Sequence, residues 1–373
     1  MTKSMDAKIK LGSLEAGRFI AAVMVLLSHV VPYVNNHTAP LSRPVFGNAL
    51  FPGPLGVQYF FVLSGFVMAS THYGDFGKFS APLHFWWRRA CRIYPAYWLA
   101  LCIPAYYLFG AMTPGSTLHL AVLDPWHDQE YIPAAWTMRF EMAFYIMFGL
   151  CLLPYIGKPL LAAWVFVTLC ECIFVEFGLI HSPLVLTFLW WVSQHAIRFV
   201  TLMEFYFFAG LAAGFAYVKL RLAPQIWAGI LMAGTLLFCG LLPLEGWGAQ
   251  YGPSPVFALG MACVLGVAML GLAGLERAGG FTLGRFAGWL GAMSYPIYVF
   301  HEPVLLVISN ALPWGQHHTP GLYLRFIAIV AAILTVAALV TFLFDQPLQR
   351  FLRRLTRRIW PRPAPLYSPP PSH

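Results

Sequence analysis

The chain reads as an all-α, polytopic integral membrane protein of about ten transmembrane helices with both termini in the cytoplasm. Three observations predict this. Hydrophobic residues make up 59% of the 373 residues and charged residues 10%, with a mean hydropathy of +0.68, whereas about a quarter of residues in a soluble domain are charged. Apolar runs recur along the chain, and each is long enough to cross a bilayer, which takes about 20 residues. The short segments that this layout places in the cytoplasm carry 18 of the 23 Lys and Arg, the positive-inside pattern. The same scatter argues against a nucleic-acid partner for the net charge of +9, because the basic residues form no single patch.

In chain order, Lys3, Lys8 and Lys10 precede the first span, Leu11 to Val34. Arg18 interrupts its apolar run and no A-x-A-like site follows, so the segment is expected to remain as an uncleaved span rather than a signal peptide. The second span, Leu55 to Tyr73, contains Ser64 and Gly65, a small surface suited to close helix approach. Phe79 to Arg92 is aromatic and basic, suggesting an interfacial helix with Trp86 and Trp87 at headgroup level. The third and fourth spans, Ile93 to Met112 and Ile132 to Leu153, flank a polar outer loop that carries Asp124, His127, Asp128 and Glu130. The fifth runs from Leu160 to Ile180 with Glu171 and Glu176 inside it. Leu184 to Arg198 is too short to cross and reads as a re-entrant or interfacial piece. The sixth to tenth spans are Phe199 to Val218, Ile226 to Leu242, Val256 to Leu275, Phe286 to Ile308 and Leu322 to Phe344. A basic, proline-rich tail follows. The seven cysteines lie mostly in apolar runs without ligand spacing, so neither a disulfide framework nor a metal site is expected.

Charges inside apolar spans are costly and mark functional interiors by default. His29 follows Arg18 by eleven residues, about three helical turns or roughly 16 Å along one face. A neutral imidazole there can take a proton from a hydroxyl, with Glu15 and Arg18 as support nearer the cytoplasm; the plainer alternative is a packing histidine. Arg88, Arg89 and Arg92 suit phosphate oxygens or anionic lipid. Glu141 lies at membrane depth with Thr137 and Tyr145 one turn to either side, able to orient a base or pair with a buried arginine. Tyr295, Tyr298, His301 and Glu302 cluster around Pro296 and Pro303, a broken polar segment of the kind that lines a cavity. Asp345 is a helix-end carboxylate or a surface residue.

These residues resemble the membrane acyltransferase-3 family, typified by bacterial O-acetyltransferases of surface polysaccharide and lipopolysaccharide. The resemblance rests on Leu14, Glu15, Arg18 and His29 at the start, FFVLSGF around Ser64, and Arg89 and Arg92 in RRACRIYPAYW. It continues through Trp136 to Tyr145, Ser294 to His301, and Asp345 with Pro347. Glu15 stands for the usual Asp, Thr137 for Ser, and Gln58 where many members have an acid. The family implies a transmembrane acyltransferase domain over residues 1–345, with 346–373 as the cytoplasmic tail, in the inner (plasma) membrane.

It further implies an acetyl-CoA or other acyl-CoA donor, with Arg89, Arg92 and Arg88 holding its phosphates. His29, Arg18, Glu15 and Glu141 become the catalytic group, and Tyr295, Tyr298, His301, Ser64 and Asp345 the substrate cavity. The implied acceptor is a carbohydrate hydroxyl, as in exopolysaccharide or O-antigen, and the chain is expected to act alone or with a separate partner. Two rivals stand beside this: an acyltransferase acting on a lipid or small metabolite, and a polar-solute transporter whose path the same charges would line.

Overall fold

The computed structural model describes residues 11–39, 42–48, 51–107, 114–126, 132–177, 199–242, 255–311 and 317–360. They are helical, and no strand occurs among them; one isolated bridge joins Thr38 to His317. In order the helices are α1 (Gly12–Asn35), α2 (Gly53–His72), α3 (Ala81–Tyr107), α4 (Pro114–Ala121), α5 (Ala135–Cys151) and α6 (Gly157–Phe177). There follow α7 (Met203–Lys219), α8 (Pro224–Leu241), α9 (Pro255–Arg277), α10 (Arg285–Ala311), α11 (Thr319–Leu339) and α12 (Gln346–Ile359). Among the described residues six helices are long and apolar enough to span a membrane: α1, α2, α8, α9, α10, and α11 with its extension to Ile359. The protein is a helical, multi-pass membrane protein. The segment 184–198, the loop residues His127, Asp128 and Glu130, and the side chains of Glu171 and Glu176 lie outside what is described.

Two pairings organise the bundle: α1 packs along α10, and α2 packs along α7. With no hydrophobic driving force between helices in lipid, close backbone approach through small residues takes its place. A Cβ at Gly65 would run into the Phe207 carbonyl, and one at Gly210 into that of Val62, so the small surface read at Ser64–Gly65 is where α2 meets α7. On the other seam a Cβ at Gly291 would strike Glu15. The first turn of α1 is capped from α9: the Glu276 carboxylate accepts from Gly12 N (2.8 Å), Ser13 N (3.0 Å) and Ser13 Oγ (2.5 Å). Orphan amides at a helix start need such an acceptor, and its negative charge suits the helix dipole.

Two local readings change. The stretch from Phe79 to Arg92 is not a separate interfacial helix but continues into α3, through Pro95. Its tryptophans turn to protein rather than to headgroups, Trp86 Nε1 donating to Tyr145 O (2.8 Å) and Trp87 Nε1 to Thr356 Oγ1 (3.0 Å). The stretch after Thr113, read as a polar loop, contains α4. Tyr94, Tyr97 and Trp98 of α3 donate to the carbonyls of Val122, Leu120 and Ala121 at 2.7, 2.8 and 2.7 Å, satisfying the groups that a helix end leaves open. The last span passes through π-helical backbone at Val340–Asp345 before α12 begins, a local widening often found where a helix serves a site.

Candidate functional site

Two cavities meet at four residues. The inner one, about 250 Å³, lies among α1, α2, α3, α5 and α10 and is lined by Phe60, Ser64, Thr137, Glu141, Tyr145, Tyr295 and Tyr298. The second, about 500 Å³, lies among α1, α2, α3, α10 and α12 and is lined by Glu15, Arg88, Asp345, Gln349, Arg350 and Arg353. Arg18, Val67, Arg89 and Arg92 border both, so three guanidinium groups stand where the cavities adjoin.

Each of the shared arginines is held from its own side. Arg18 Nη1 is 3.7 Å from Glu15 Oε2, one turn away on α1. Arg92 Nη1 donates to Asp345 Oδ2 at 2.9 Å, and its guanidinium carbon lies 5.3 Å from the centroid of the Tyr295 ring. Arg89 lies over two rings, 5.1 Å from Tyr145 and 5.4 Å from Phe85, a cation–π arrangement that fixes the planar group while leaving its edge N–H donors available. Tyr145 in turn donates to Glu141 Oε1, so the carboxylate, the phenol and Arg89 form one set along the inner cavity.

Beyond the far end of the inner cavity sits a second polar cluster. Tyr298, which lines that cavity, exchanges a hydrogen bond with the Thr137 hydroxyl and donates to Ala134 O at 3.0 Å. The amide of the same Ala134, at the start of α5, donates to Glu302 Oε2 at 2.5 Å. A carboxylate at a helix N-terminus is favoured by the dipole. The other oxygen of Glu302 lies 3.7 Å from His29 Nε2. The His29 and His301 rings are 5.0 Å apart between centroids.

Both rings present the same nitrogen to this cluster. His29 Nδ1 meets Val25 O at 2.8 Å, and His301 Nδ1 meets Tyr298 O at 2.7 Å. A carbonyl only accepts, so each Nδ1 carries a proton, and in the neutral ring each Nε2 holds a lone pair. His301 Nε2 is buried without a hydrogen-bond partner. Ligand atoms of His29, His301 and Glu302 all lie within 4.8 Å of one another, and they are the group among the described residues that could hold a metal ion. The sequence had suggested no such set.

The structure therefore distributes the residues singled out in the sequence over two adjoining cavities and a separate histidine cluster. Arg18, Glu15, Arg88, Arg89, Arg92 and Asp345 gather at the larger cavity; Ser64, Glu141, Tyr295 and Tyr298 line the smaller one. His29 and His301 line neither, and pair beside Tyr298. His29 is not deeply enclosed, its side chain being 41% exposed. Arg139, near Glu141 in sequence, is fully buried. Two features had not been assigned a role: Glu302 as the partner of His29, and Arg350 and Arg353 as lining of the larger cavity. The signal for the first was a carboxylate directly after His301 in an apolar span. For the second it was the helical spacing of Gln346, Gln349, Arg350 and Arg353, hidden by reading this segment as a tail.

The acyltransferase domain model of family 3 matches residues 11–344. A curated relative, the exopolysaccharide production protein ExoZ of Rhizobium meliloti (strain 1021), is 28% identical over 275 residues, covering 69% of this chain and 78% of that protein. No solved structure matches the chain. With the family match running from the first turn before α1 to the end of the last span, the chain belongs to the acyltransferase-3 family of membrane acyltransferases.

Proposed function

We propose that the protein transfers an acyl group, most simply acetyl, from acyl-CoA to a hydroxyl of a cell-surface or exported carbohydrate. The observation that carries this reading is that a basic cavity and an inner cavity adjoin at Arg18, Val67, Arg89 and Arg92. The basic chamber adjoins, at Arg18, Arg89 and Arg92, an inner cavity lined by Tyr298, whose ring neighbours His301 of the His29–His301–Glu302 cluster. A donor with a charged head and a long arm enters from the basic side, and the thioester advances past the arginines. The carbohydrate acceptor is supported by the relative named for exopolysaccharide production.

In this mechanism His29 Nε2 removes the proton of the acceptor hydroxyl as its oxygen attacks the thioester carbonyl. The Glu302 carboxylate faces the imidazolium that forms. Collapse of the tetrahedral intermediate breaks the C–S bond, and the proton passes from His29 to the departing thiolate, yielding ester and free CoA. Arg18, about three turns from His29 on α1, and Arg89 hold the donor on its way in rather than touch the reacting carbonyl. The layout that goes with this chemistry has about ten spans, both termini in the cytoplasm and the chain in the inner (plasma) membrane. Donor then enters from the cytoplasm, and acceptor from the side where His29 is open.

The test is transfer of label from radiolabelled acetyl-CoA by membranes containing the protein, followed by glycan analysis. Ester-linked label on carbohydrate is expected, with His29→Ala losing about 10² to 10⁴ in rate at unchanged protein level. Label on lipid or a small metabolite would move the acceptor assignment, and full activity in the His29 variant would remove the base.

A further inference from the structure

The helix α12 has three stripes of different chemistry. Its sequence, QPLQRFLRRLTRRI, holds five arginines and no acid. Gln346, Gln349, Arg350, Arg353 and Thr356 recur at helical spacing and line the larger cavity. Leu348, Phe351, Leu355 and Ile359 form an apolar stripe on which Phe351 is 60% exposed and Ile359 49% exposed, the side an interfacial helix turns to acyl chains. Arg354, Arg357 and Arg358 are exposed outside the cavity.

This helix is fastened in place over α3. Gln349 Nε2 donates to Cys91 O at 2.7 Å, Trp87 bonds Thr356, and Trp360 lies 5.5 Å from the His84 ring. Arg350 donates to Gln346 at 3.2 Å, which leaves most of its N–H donors unused. Six guanidinium groups (Arg18, Arg88, Arg89, Arg92, Arg350 and Arg353) thus border one cavity that contains two carboxylates, Glu15 and Asp345. Like charges at this density repel unless an anion enters, and guanidinium forks match phosphate oxygens.

With Arg88, Arg89 and Arg92 already read as holding the donor's phosphates, we propose that Arg350 and Arg353 of α12 are further ligands of its 3′-phospho-ADP end. The inference rests on the acyl-CoA reading above and adds a binding role for a helix beyond the span bundle. A polyanionic head on an uncharged arm suits a basic chamber that adjoins the inner cavity at Arg18, Val67, Arg89 and Arg92. A lipid headgroup shares the phosphate chemistry and is the other source of such a ligand.

The experiment measures affinity of the purified protein for CoA and 3′-dephospho-CoA. Arg350→Ala with Arg353→Ala is compared against the charge-matched pair Arg354→Ala with Arg358→Ala. The first pair is expected to weaken CoA binding by ~10-fold or more, as for loss of a charged hydrogen bond, and to shrink the preference for the 3′-phosphate. The second pair should leave both unchanged. Equal losses in the two pairs, or no loss in the first, overturn the proposal while the acyl-CoA reading stands; a wild-type protein that binds neither ligand overturns both. In nanodiscs of phosphatidylglycerol, a first pair that alters lipid binding alone would assign these arginines to headgroups. Should the first pair fail to fold, Arg353→Gln, which spares the Arg350–Gln346 bond, repeats the comparison.

Discussion

His29 Nε2 and Glu302 Oε1 lie 3.7 Å apart, joining the first span to the ninth predicted one, with the opposite oxygen of Glu302 held by the amide of Ala134. In the proposed mechanism this makes Glu302 a positioning residue for the His29 ring. Glu302→Gln keeps an acceptor for Ala134 but removes the charge that faces the imidazolium. The expected loss in kcat is about 10- to 100-fold, from losing one nearby carboxylate's attraction for the imidazolium, with the KM for acyl-CoA little changed. A KM effect without a kcat effect would place Glu302 in packing alone.

The convergence of His29, His301 and Glu302 also makes a metal testable. If His29 acts as a free base, chelation leaves acyl transfer unchanged, and metal analysis of the purified protein finds less than one equivalent. Inactivation by a chelator that added Zn²⁺ reverses would instead make the three residues a metal site, since Nε2 lone pairs backed by Nδ1–H bonds to carbonyls are how metal-binding histidines are oriented.

Asp345 is nearly fully buried, and its partner Arg92 is partly exposed. Arg92→Ala leaves a buried carboxylate with Gln349 as its remaining neighbour, at 3.4 Å. Loss of one partner of a buried pair costs about 3 to 5 kcal/mol, and the exposure of Arg92 lowers this to about 2 kcal/mol. Thermal unfolding in detergent should show Arg92→Ala clearly destabilised, and Arg92→Ala with Asp345→Asn less so.

The α2–α7 seam depends on the absence of side chains. Gly210→Val would force the Val62 backbone away and separate the helix that carries Ser64 from its support. Reduced yield in membranes and a lowered melting temperature are expected, by ~2 kcal/mol or more as for overpacked interiors. Gly229→Val, at a position with open space around it, is the matched control and should behave as wild type.

Hydropathy, basic-residue placement and small residues are local properties, so the membrane class, the seam at Gly65 and the suspect charges were all legible in the amino-acid order. Trp86 and Trp87 show where that reading stops. Their composition suits the interface, but whether an indole faces headgroups or donates to Tyr145 and Thr356 depends on what packs alongside.

What the sequence by itself determined is a polytopic helical membrane protein with Arg18, His29, Glu141 and His301 as costly polar residues within its spans, because burying charge in an apolar span is expensive wherever the chain goes. What only the tertiary structure decided is which polar residues meet. Arg92 finds Asp345 across the length of the chain, His29 finds Glu302, and α12 brings Arg350 to the cavity that Arg88 and Arg89 line. Those partnerships follow from helix crossings set by close backbone contact and by interhelical hydrogen bonds, which no spacing along one helix encodes.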